Sequence, residues 1–595
     1  MSRRVTDVLR ARLAALCAGL LLAACAAAPD RPAAPEAPSG LREGLRTATA
    51  TRHMAAAANP LATEAGREIL RAGGSAVDAA IAMQMVLTLV EPQSSGIGGG
   101  AFLLHFDGRR VQAFDGRETA PMAADESLFL VDGKPMAFYD AVVGGRAVGT
   151  PGLLRMLEAA HRQHGKRPWP QLFAPAIRLA DGGFAVSPRL HALLAEEKHL
   201  AGNPAARAYF YNADGSPKAV GTVLRNPELA GTLRAIAAGG ADAFYRGPIA
   251  ADIVRAVRAH PNAGRLAEAD FAAYEARERA PVCTDHKRWR ICGMGPPSSG
   301  GIAVAQVMGI VGTLDIAASR PAEASGQFAP TVDAVHLFSE AGRLAFADRN
   351  VYVADPDFVP VDWMALIDPR YLADRAKLIG KRTMGRAEPG VPAGYRLAWA
   401  ADESLRGATS HVSAVDGEGR AVSMTTSIED GFGARLMVRG FLLNNQLTDF
   451  SFAPSEAGRP IANRVQPGKR PRSSMAPTLV FDRDSGELLA TLGSPGGSLI
   501  INYVAKTLVG LLDWDLDIQQ AIAMANFGSR NGPTELELGR FVPSLIDGLR
   551  QRGHEIREIP MTSGLQGIVR VRLPDGRKAW AGGADPRREG VALGD

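Results

Sequence analysis

The stretch that most constrains this chain is Glu403–Gly433, where two alternating runs, Thr409–Val415 and Arg420–Ser427, flank Asp416-Gly417-Glu418-Gly419. Apolar or small residues recur at every second position, the period of a strand whose side chains leave on alternate faces. The Asp-Gly-Glu-Gly turn folds the two runs into a β-hairpin. A polar, loop-like segment leads into it and ends at Ala408-Thr409-Ser410-His411. A hydroxyl residue at a strand start is by itself an ordinary β-former. His411, two residues on, falls on the same face as Thr409 wherever the alternation holds.

The rest of the chain supplies layers for that hairpin. A helix capped by Thr63 is expected to run to Ala72, where Gly73-Gly74 stops it. Ser75 and Asp78 have the spacing of a capping box for a second helix to about Leu89, and its Ala76, Ala79, Ala80 and Met83 suit close packing on another layer. Residues 101–115 alternate around Asp107-Gly108 as another hairpin, with Arg117 directly after it. Residues 151–280 read as mainly helical. The strand-like Arg288–Gly295 then leads into Pro296-Pro297-Ser298-Ser299-Gly300-Gly301 and a helix from Ile302. Residues 333–350 read as helix, and residues 385–408 as a polar, exposed segment. Pro477–Asp482 and Leu488–Gly493 read as paired strands, followed by a helix at Leu499–Leu512. Strands near Gly567–Leu573 and Lys578–Ala581 are expected to close the chain. Helices on both sides of antiparallel strands predict an α/β layered sandwich.

The net charge of +5 looks basic until it is located. Arg3, Arg4, Arg10 and Arg12 against Asp7 give +3 of it within residues 1–24, and no basic block follows, which argues against nucleic acid as a partner. Those arginines precede an apolar run, Leu13–Ala24, shorter than the roughly 20 residues of a membrane span, so the start reads as a targeting segment. Leu22-Ala23-Ala24-Cys25 resembles a bacterial lipobox, with Cys25 lipidated after cleavage; an ordinary signal peptide cut at a nearby Ala-x-Ala is the alternative. Residues 25–50, rich in Ala and Pro at first, are expected to be a disordered tether, and Ala26 after the cysteine favours the outer membrane. Cys283 and Cys292 lie nine apart in a sequence that reads as a hairpin, and either a disulfide or two free thiols fits them. The eleven histidines are scattered and no CxxC or HExxH occurs, so neither a metal nor another cofactor is expected.

Several blocks, in one order, resemble the γ-glutamyltranspeptidase family over nearly all of the chain after the leader. They include Asn59–Ala82, Glu91–Leu104, Phe114–Pro121, Gly149–Leu154, Pro296–Ile302, Leu442–Ser451, Pro467–Val480, Gly493–Ser498 and Ala584–Gly590. The resemblance implies the four-layer αββα sandwich of N-terminal nucleophile hydrolases. It implies self-cleavage at Ala408–Thr409 into a large subunit (51–408) and a small catalytic subunit (409–595) that stay together as a heterodimer. Thr409 becomes the nucleophile and its new α-amine, with an ordinary pKa near 8, the base. That leaves no role in catalysis for His411. Ser427 corresponds to a hydroxyl that supports the nucleophile, and Gly496-Gly497 to the oxyanion hole; on its own Pro495-Gly496-Gly497 reads as a turn before a helix. The glycine run Gly96–Gly100 leads into a strand, and neither glycine segment carries the lysine of a phosphate loop.

Arg117 with Ser473-Ser474 matches the family's clamp for a substrate α-carboxylate, and Gln446 with Asp449 its holders of the α-amine. Two departures stand out. Glu429 replaces the asparagine of well-studied members in the amine pocket. The segment between Asp449 and Ser473 is short and has no tyrosine, where enterobacterial-type members carry a lid loop. The pocket is therefore expected to be open to water and to bulky leaving groups. The activity implied is hydrolysis, in preference to transfer, of the γ-glutamyl amide of glutathione and related small molecules, in the periplasm, with a lipid anchor as the only membrane contact. A glutaryl- or cephalosporin-acylase-like amidase with the same threonine is one alternative, although Asp449, Gln446 and Glu429 would then face no amine. An unprocessed, non-catalytic binding lipoprotein is the other.

Overall fold

A computed structural model describes residues 40–324, 327–359, 362–394, 399–400 and 408–595. The leader, Cys25, the first part of the expected tether and residues 401–407 before the expected cut lie outside the described residues. Two seven-stranded antiparallel sheets carry the fold. The first orders β14 (Val591–Gly594), β2 (Met54–Ala57), β8 (Ala408–Val415), β9 (Ala421–Glu429), β3 (Gly100–Phe106), β4 (Val111–Gly116) and β5 (Arg277–Arg279). The second orders β1 (Ala48–Ala50), β13 (Lys578–Ala584), β12 (Gln566–Arg572), β11 (Leu488–Gly493), β10 (Thr478–Asp482), β7 (Trp289–Gly293) and β6 (Val282–His286).

The hairpin β8–β9 sits inside the first sheet, with Val412 opposite both Met424 and Ala57, and Met424 opposite Leu103. Alternation along these strands builds two cores. Leu103, Val412 and Met424 join the core beneath α1 (Pro60–Arg71) and α2 (Ala76–Val90). Phe102, Leu104 and Val415 join the second core with Leu479, Val480 and Leu492 of the other sheet. Beyond that sheet lie α3 (Gly300–Val311), α4 (Val332–Tyr352) and α5 (Ile500–Leu512), whose apolar faces complete the same core. The order helix, sheet, sheet, helix is the four-layer αββα sandwich that the resemblance implied.

Local signals fixed several boundaries. The Ser75–Asp78 capping box forms in both directions, and every residue of α2 is buried. The first helix starts earlier than expected, because the Asn59 side chain accepts the Leu61 N–H and Pro60 occupies the first turn; Thr63 lies inside it. The expected tether also ends early: Ala48–Ala50 pairs with Trp580–Gly582 as an edge strand, since those backbone groups find a ladder there. The chain closes on a strand that the sequence reading lacked, Val591–Gly594, paired with Met54–Ala57. Cys283 and Cys292 are directly opposite in the β6–β7 hairpin and form a disulfide.

Candidate active site

The site is built where β8 begins. Ala408 pairs with Glu429 but Ser410 pairs with Thr426, so Ser427 and Ile428 oppose the single residue Thr409. This β-bulge re-aims side chains locally, and Thr409 and Ser427 line one recess with their hydroxyls 3.5 Å apart. Ser427 Oγ also accepts the Glu429 N–H at 2.9 Å. Glu429 itself has a left-handed φ of 80°, uncommon for a residue with a Cβ. Thr448 Oγ1 donates to its carboxylate at 3.2 Å, and Asn445 donates a second, short bond. The glycine run Gly96–Gly100 serves this place by close approach: a Cβ on Gly99 would lie 2.1 Å from the Ser427 carbonyl oxygen.

The extra residue lies in the second strand, so along Ala408–Val415 the alternation holds, but His411 is engaged deeper between the sheets. The His411 ring bonds Thr425 Oγ1 at 2.9 Å and Ser413 Oγ at 3.0 Å and faces Gly493 of the second sheet. Burial pulls its pKa down to about 3, so it is a neutral core histidine.

The recess is lined by nearly all the residues the sequence pointed to: Arg117, Thr409, Ser427, Glu429, Gln446, Asp449, Ser473, Ser474 and Gly497. Gly496 is adjacent to this lining but not part of it. Gly496 (φ 131°) and Gly497 (φ 57°) both lie where a side chain would be strained, and among the described residues no backbone acceptor takes their N–H groups. Gln446 and Asp449 share one 3-10 turn, Gln446–Asp449, in which Gln446 Nε2 donates to Asp449 Oδ2 at 2.9 Å.

Arg117 is 1% exposed and donates to Asp449 Oδ2 at 2.5 Å and to the carbonyls of Pro471 (3.1 Å) and Arg472 (3.0 Å). Its neighbour Glu118 is 3.8 Å away, but burial pushes that carboxyl up to about 8, so it is neutral at pH 7. Asp449 is therefore the working counterion of Arg117. An adjacent fixed cation and anion match the paired carboxylate and ammonium of an α-amino acid head group.

Five residues that sequence reasoning did not single out complete the wall: Arg349, Arg472, Met475, Ser498 and Ile500. Arg349, on α4, donates to Ser474 Oγ at 2.8 Å and Ser299 Oγ at 3.0 Å. Ser299 in turn donates to the Ser473 carbonyl through both its N–H (2.8 Å) and its hydroxyl (2.6 Å), so the Pro296–Gly301 block holds the serine pair from behind. The available signal was Asp348-Arg349-Asn350, a polar triplet in a helix buried on nearly all sides.

The scattered histidines concealed one cluster. His336 and Glu340 of α4 meet His554, with potential ligand atoms within 4.8 Å of one another. The Gly380 carbonyl only accepts, so His336 carries a proton on Nε2 (2.8 Å), and its Nδ1 shares a hydrogen bond with His554 Nε2 (2.8 Å). His554 Nδ1 is hydrogen-bonded to Thr534 Oγ1 at 2.7 Å. Glu340 takes Arg343, Thr383 and the Met384 N–H. Burial and the neighbouring imidazole pull His554 down to about 4. These bonds close around the two rings and fasten the 380–384 segment to the body.

Comparison with known proteins agrees with this arrangement. A sequence model described as gamma-glutamyltranspeptidase matches residues 62–595. A glutathione hydrolase proenzyme of Bacillus subtilis (strain 168) is 34% identical, with 91% of each chain covered. An Acylase ACY 1 proenzyme of Pseudomonas sp. (strain V22) is 35% identical over 89% of this chain and 92% of its own. The crystal structure of cephalosporin acylase from Bacillus halodurans superposes with a TM-score of 0.77 at 26% identity, covering 96% of this chain and 99% of that one. The match across nearly the whole length shows that this chain belongs to the γ-glutamyltranspeptidase family.

Proposed function

We propose that this protein is a self-processing γ-glutamyl hydrolase and transpeptidase acting on glutathione and related γ-glutamyl amides. The observation that carries this reading is the Arg117–Asp449 pair, with Gln446, in the same recess as the Thr409 hydroxyl. In the undivided chain the Thr409 nitrogen is an amide. Attack of its hydroxyl on the Ala408 carbonyl exchanges that amide for an ester, and water then hydrolyses the ester, leaving Thr409 with a free α-amine. That amine, with an ordinary pKa near 8, takes the hydroxyl proton when Thr409 attacks the substrate's γ-carbonyl. The N–H groups of Gly496 and Gly497 hold the oxyanion, a contribution on the order of 10²–10³ in rate for one such donor. The ammonium then protonates the leaving amine as the tetrahedral intermediate collapses to a γ-glutamyl ester. Water or an acceptor amine releases the acyl group.

Arg117, Ser473 and Ser474 take the α-carboxylate, while Asp449, Gln446 and Glu429 take the α-ammonium. The segment between Asp449 and Ser473 forms only a small exposed hairpin, Ser455–Glu456 with Arg459–Pro460, which supports easy access of water and hydrolysis over transfer. Residues 1–24 act as the leader, Cys25 as the lipid attachment site, and the processed heterodimer (large subunit to 408, small subunit from 409) works in the periplasm on an outer-membrane anchor. Among the described residues no helix is long and apolar enough to cross a membrane.

The acylase relatives and the cephalosporin acylase structure favour a second reading, the same threonine chemistry on a glutaryl side chain. Initial rates on γ-glutamyl anilide and glutaryl anilide, with Thr409→Ala as control, separate the two. A strong preference for the γ-glutamyl compound supports the proposed function. Equal or faster turnover of the glutaryl compound replaces it with the acylase reading.

A further inference from the structure

An oxyanion hole works only if its donors already point at one place before charge develops. Gly496 and Gly497 do not supply that order themselves, because glycine is the least restricted backbone residue. Within their turn the Leu499 N–H reaches the Gly496 carbonyl at 3.1 Å. Tyr503 backs the first glycine: a Cβ on Gly496 would lie 2.5 Å from its ring. The second glycine is followed by Ser498, and both line the recess. Ser498 Oγ accepts from Arg530 Nη1 at 2.8 Å.

Arg530 reaches Ser498 along a fixed line. Its Nε and Nη2 edge is taken up by Glu535, at 2.8 and 2.5 Å, in the paired bonds that suit a planar fork. That sets the plane of the guanidinium and leaves Nη1 for the hydroxyl. The support beneath is fixed as well. Glu535 pairs with Gly528 in the hairpin of Phe527–Ser529 and Thr534–Glu537. Arg343 of α4 holds that hairpin through Thr534 Oγ1 (2.9 Å) and the Gly532 carbonyl. The Arg530 and Glu535 side chains are only 9% and 5% exposed. Desolvation at that depth offsets much of what an ion pair gains, so stability alone is a weak reason for this one. Arg530 itself does not line the recess. We propose that Arg530 is a positioning residue for the oxyanion hole, holding the Gly496–Gly497 turn in its working shape through Ser498. The inference rests on the role given above to those two glycines.

The test is a double-mutant cycle on the processed enzyme with γ-glutamyl anilide: Arg530→Gln, Ser498→Ala and the two together. Each single change is expected to lower kcat about fivefold or more with KM within a factor of about two, because the hole acts on the oxyanion and not on the bound amide. The double variant is expected to match the weaker single variant within about twofold, since both changes break one link. A smaller loss of kcat in either single variant overturns the proposal, and so does a loss carried mainly by KM. Losses that multiply in the double variant also overturn it, for Arg530 then acts apart from Ser498. Should Arg530→Gln fail to fold or to divide, Arg530→Lys takes its place in the cycle, keeping a cation beside Glu535 while removing the fork. Failure of the γ-glutamyl reading looks different: the wild type itself then leaves γ-glutamyl anilide intact while it cleaves glutaryl anilide.

Discussion

Replacing Asp449 by asparagine keeps the side chain's shape and removes its charge. In the recess its carboxylate lies 2.5 Å from the Arg117 guanidinium and 2.9 Å from Gln446 Nε2, with its side chain 21% exposed. A substrate ammonium about 4 Å from that carboxylate gains about 4 kcal/mol at an effective dielectric of about 20. Glu429 lines the same recess and retains part of this attraction, leaving a net loss of about 3 kcal/mol, or roughly 150-fold in kcat/KM. Arg117 keeps the Pro471 and Arg472 carbonyls, so the fold and the self-cleavage are expected to survive. The assay is kcat/KM for γ-glutamyl anilide and glutaryl anilide on purified, processed Asp449→Asn. Because the glutaryl compound has no α-amine, its kcat/KM is expected to change less than about fivefold. A loss of equal size on both substrates, or a loss below about fivefold on the γ-glutamyl compound, refutes the assignment of Asp449 to the ammonium.

Three further outcomes are expected. Ser427→Ala removes the hydroxyl 3.5 Å from Thr409 Oγ1 and should slow self-cleavage and kcat by about 10-fold or more while KM stays within a factor of about two, read by gel densitometry and initial rates. His411 and His105 are both held neutral by burial, with pKa values of about 3, so the unfolded chain binds their protons first as pH falls. Their stability contribution is complete above about pH 6.5 and is lost through the interval down to about 3. His411→Gln should therefore flatten the fall in denaturation midpoint between pH 7 and pH 5, a fall to which His411 contributes about 2 kcal/mol. Reducing the Cys283–Cys292 bond frees a short loop and should cost about 2–3 kcal/mol, seen as a lower Tm with reductant that Cys283→Ser/Cys292→Ser reproduces without it.

What the sequence made legible was local or carried by the family resemblance. The Ser75–Asp78 capping box and the Asp107-Gly108 hairpin depend on neighbours a few residues away, so spacing alone exposes them. Thr409, Gly496-Gly497 and Asp449 are individually unremarkable in type, and only the resemblance singled them out. Features assembled over long separations stayed hidden. The closing strand Val591–Gly594 is short and finds its partner at Met54–Ala57, and His336 meets His554 across 218 residues. The bulge that sets Ser427 and Ile428 opposite the single Thr409 is invisible to a period-two count, and so are the bonds to Thr425 and Ser413 that hold His411 in the core. Arg349 was missed because one charged residue among several in a helix of mixed composition carries no signal until Ser299 and Ser474 are seen around it.

The central claim is that Thr409, freed by cleavage after Ala408, carries the γ-glutamyl group. Intact mass analysis of the purified chain, before and immediately after acid quenching with a γ-glutamyl substrate, tests it directly. The account predicts two fragments divided at Ala408–Thr409, with the smaller one heavier by one γ-glutamyl group after quenching and the added mass on Thr409. An undivided chain that still turns over substrate, or a modification on another residue, would contradict it.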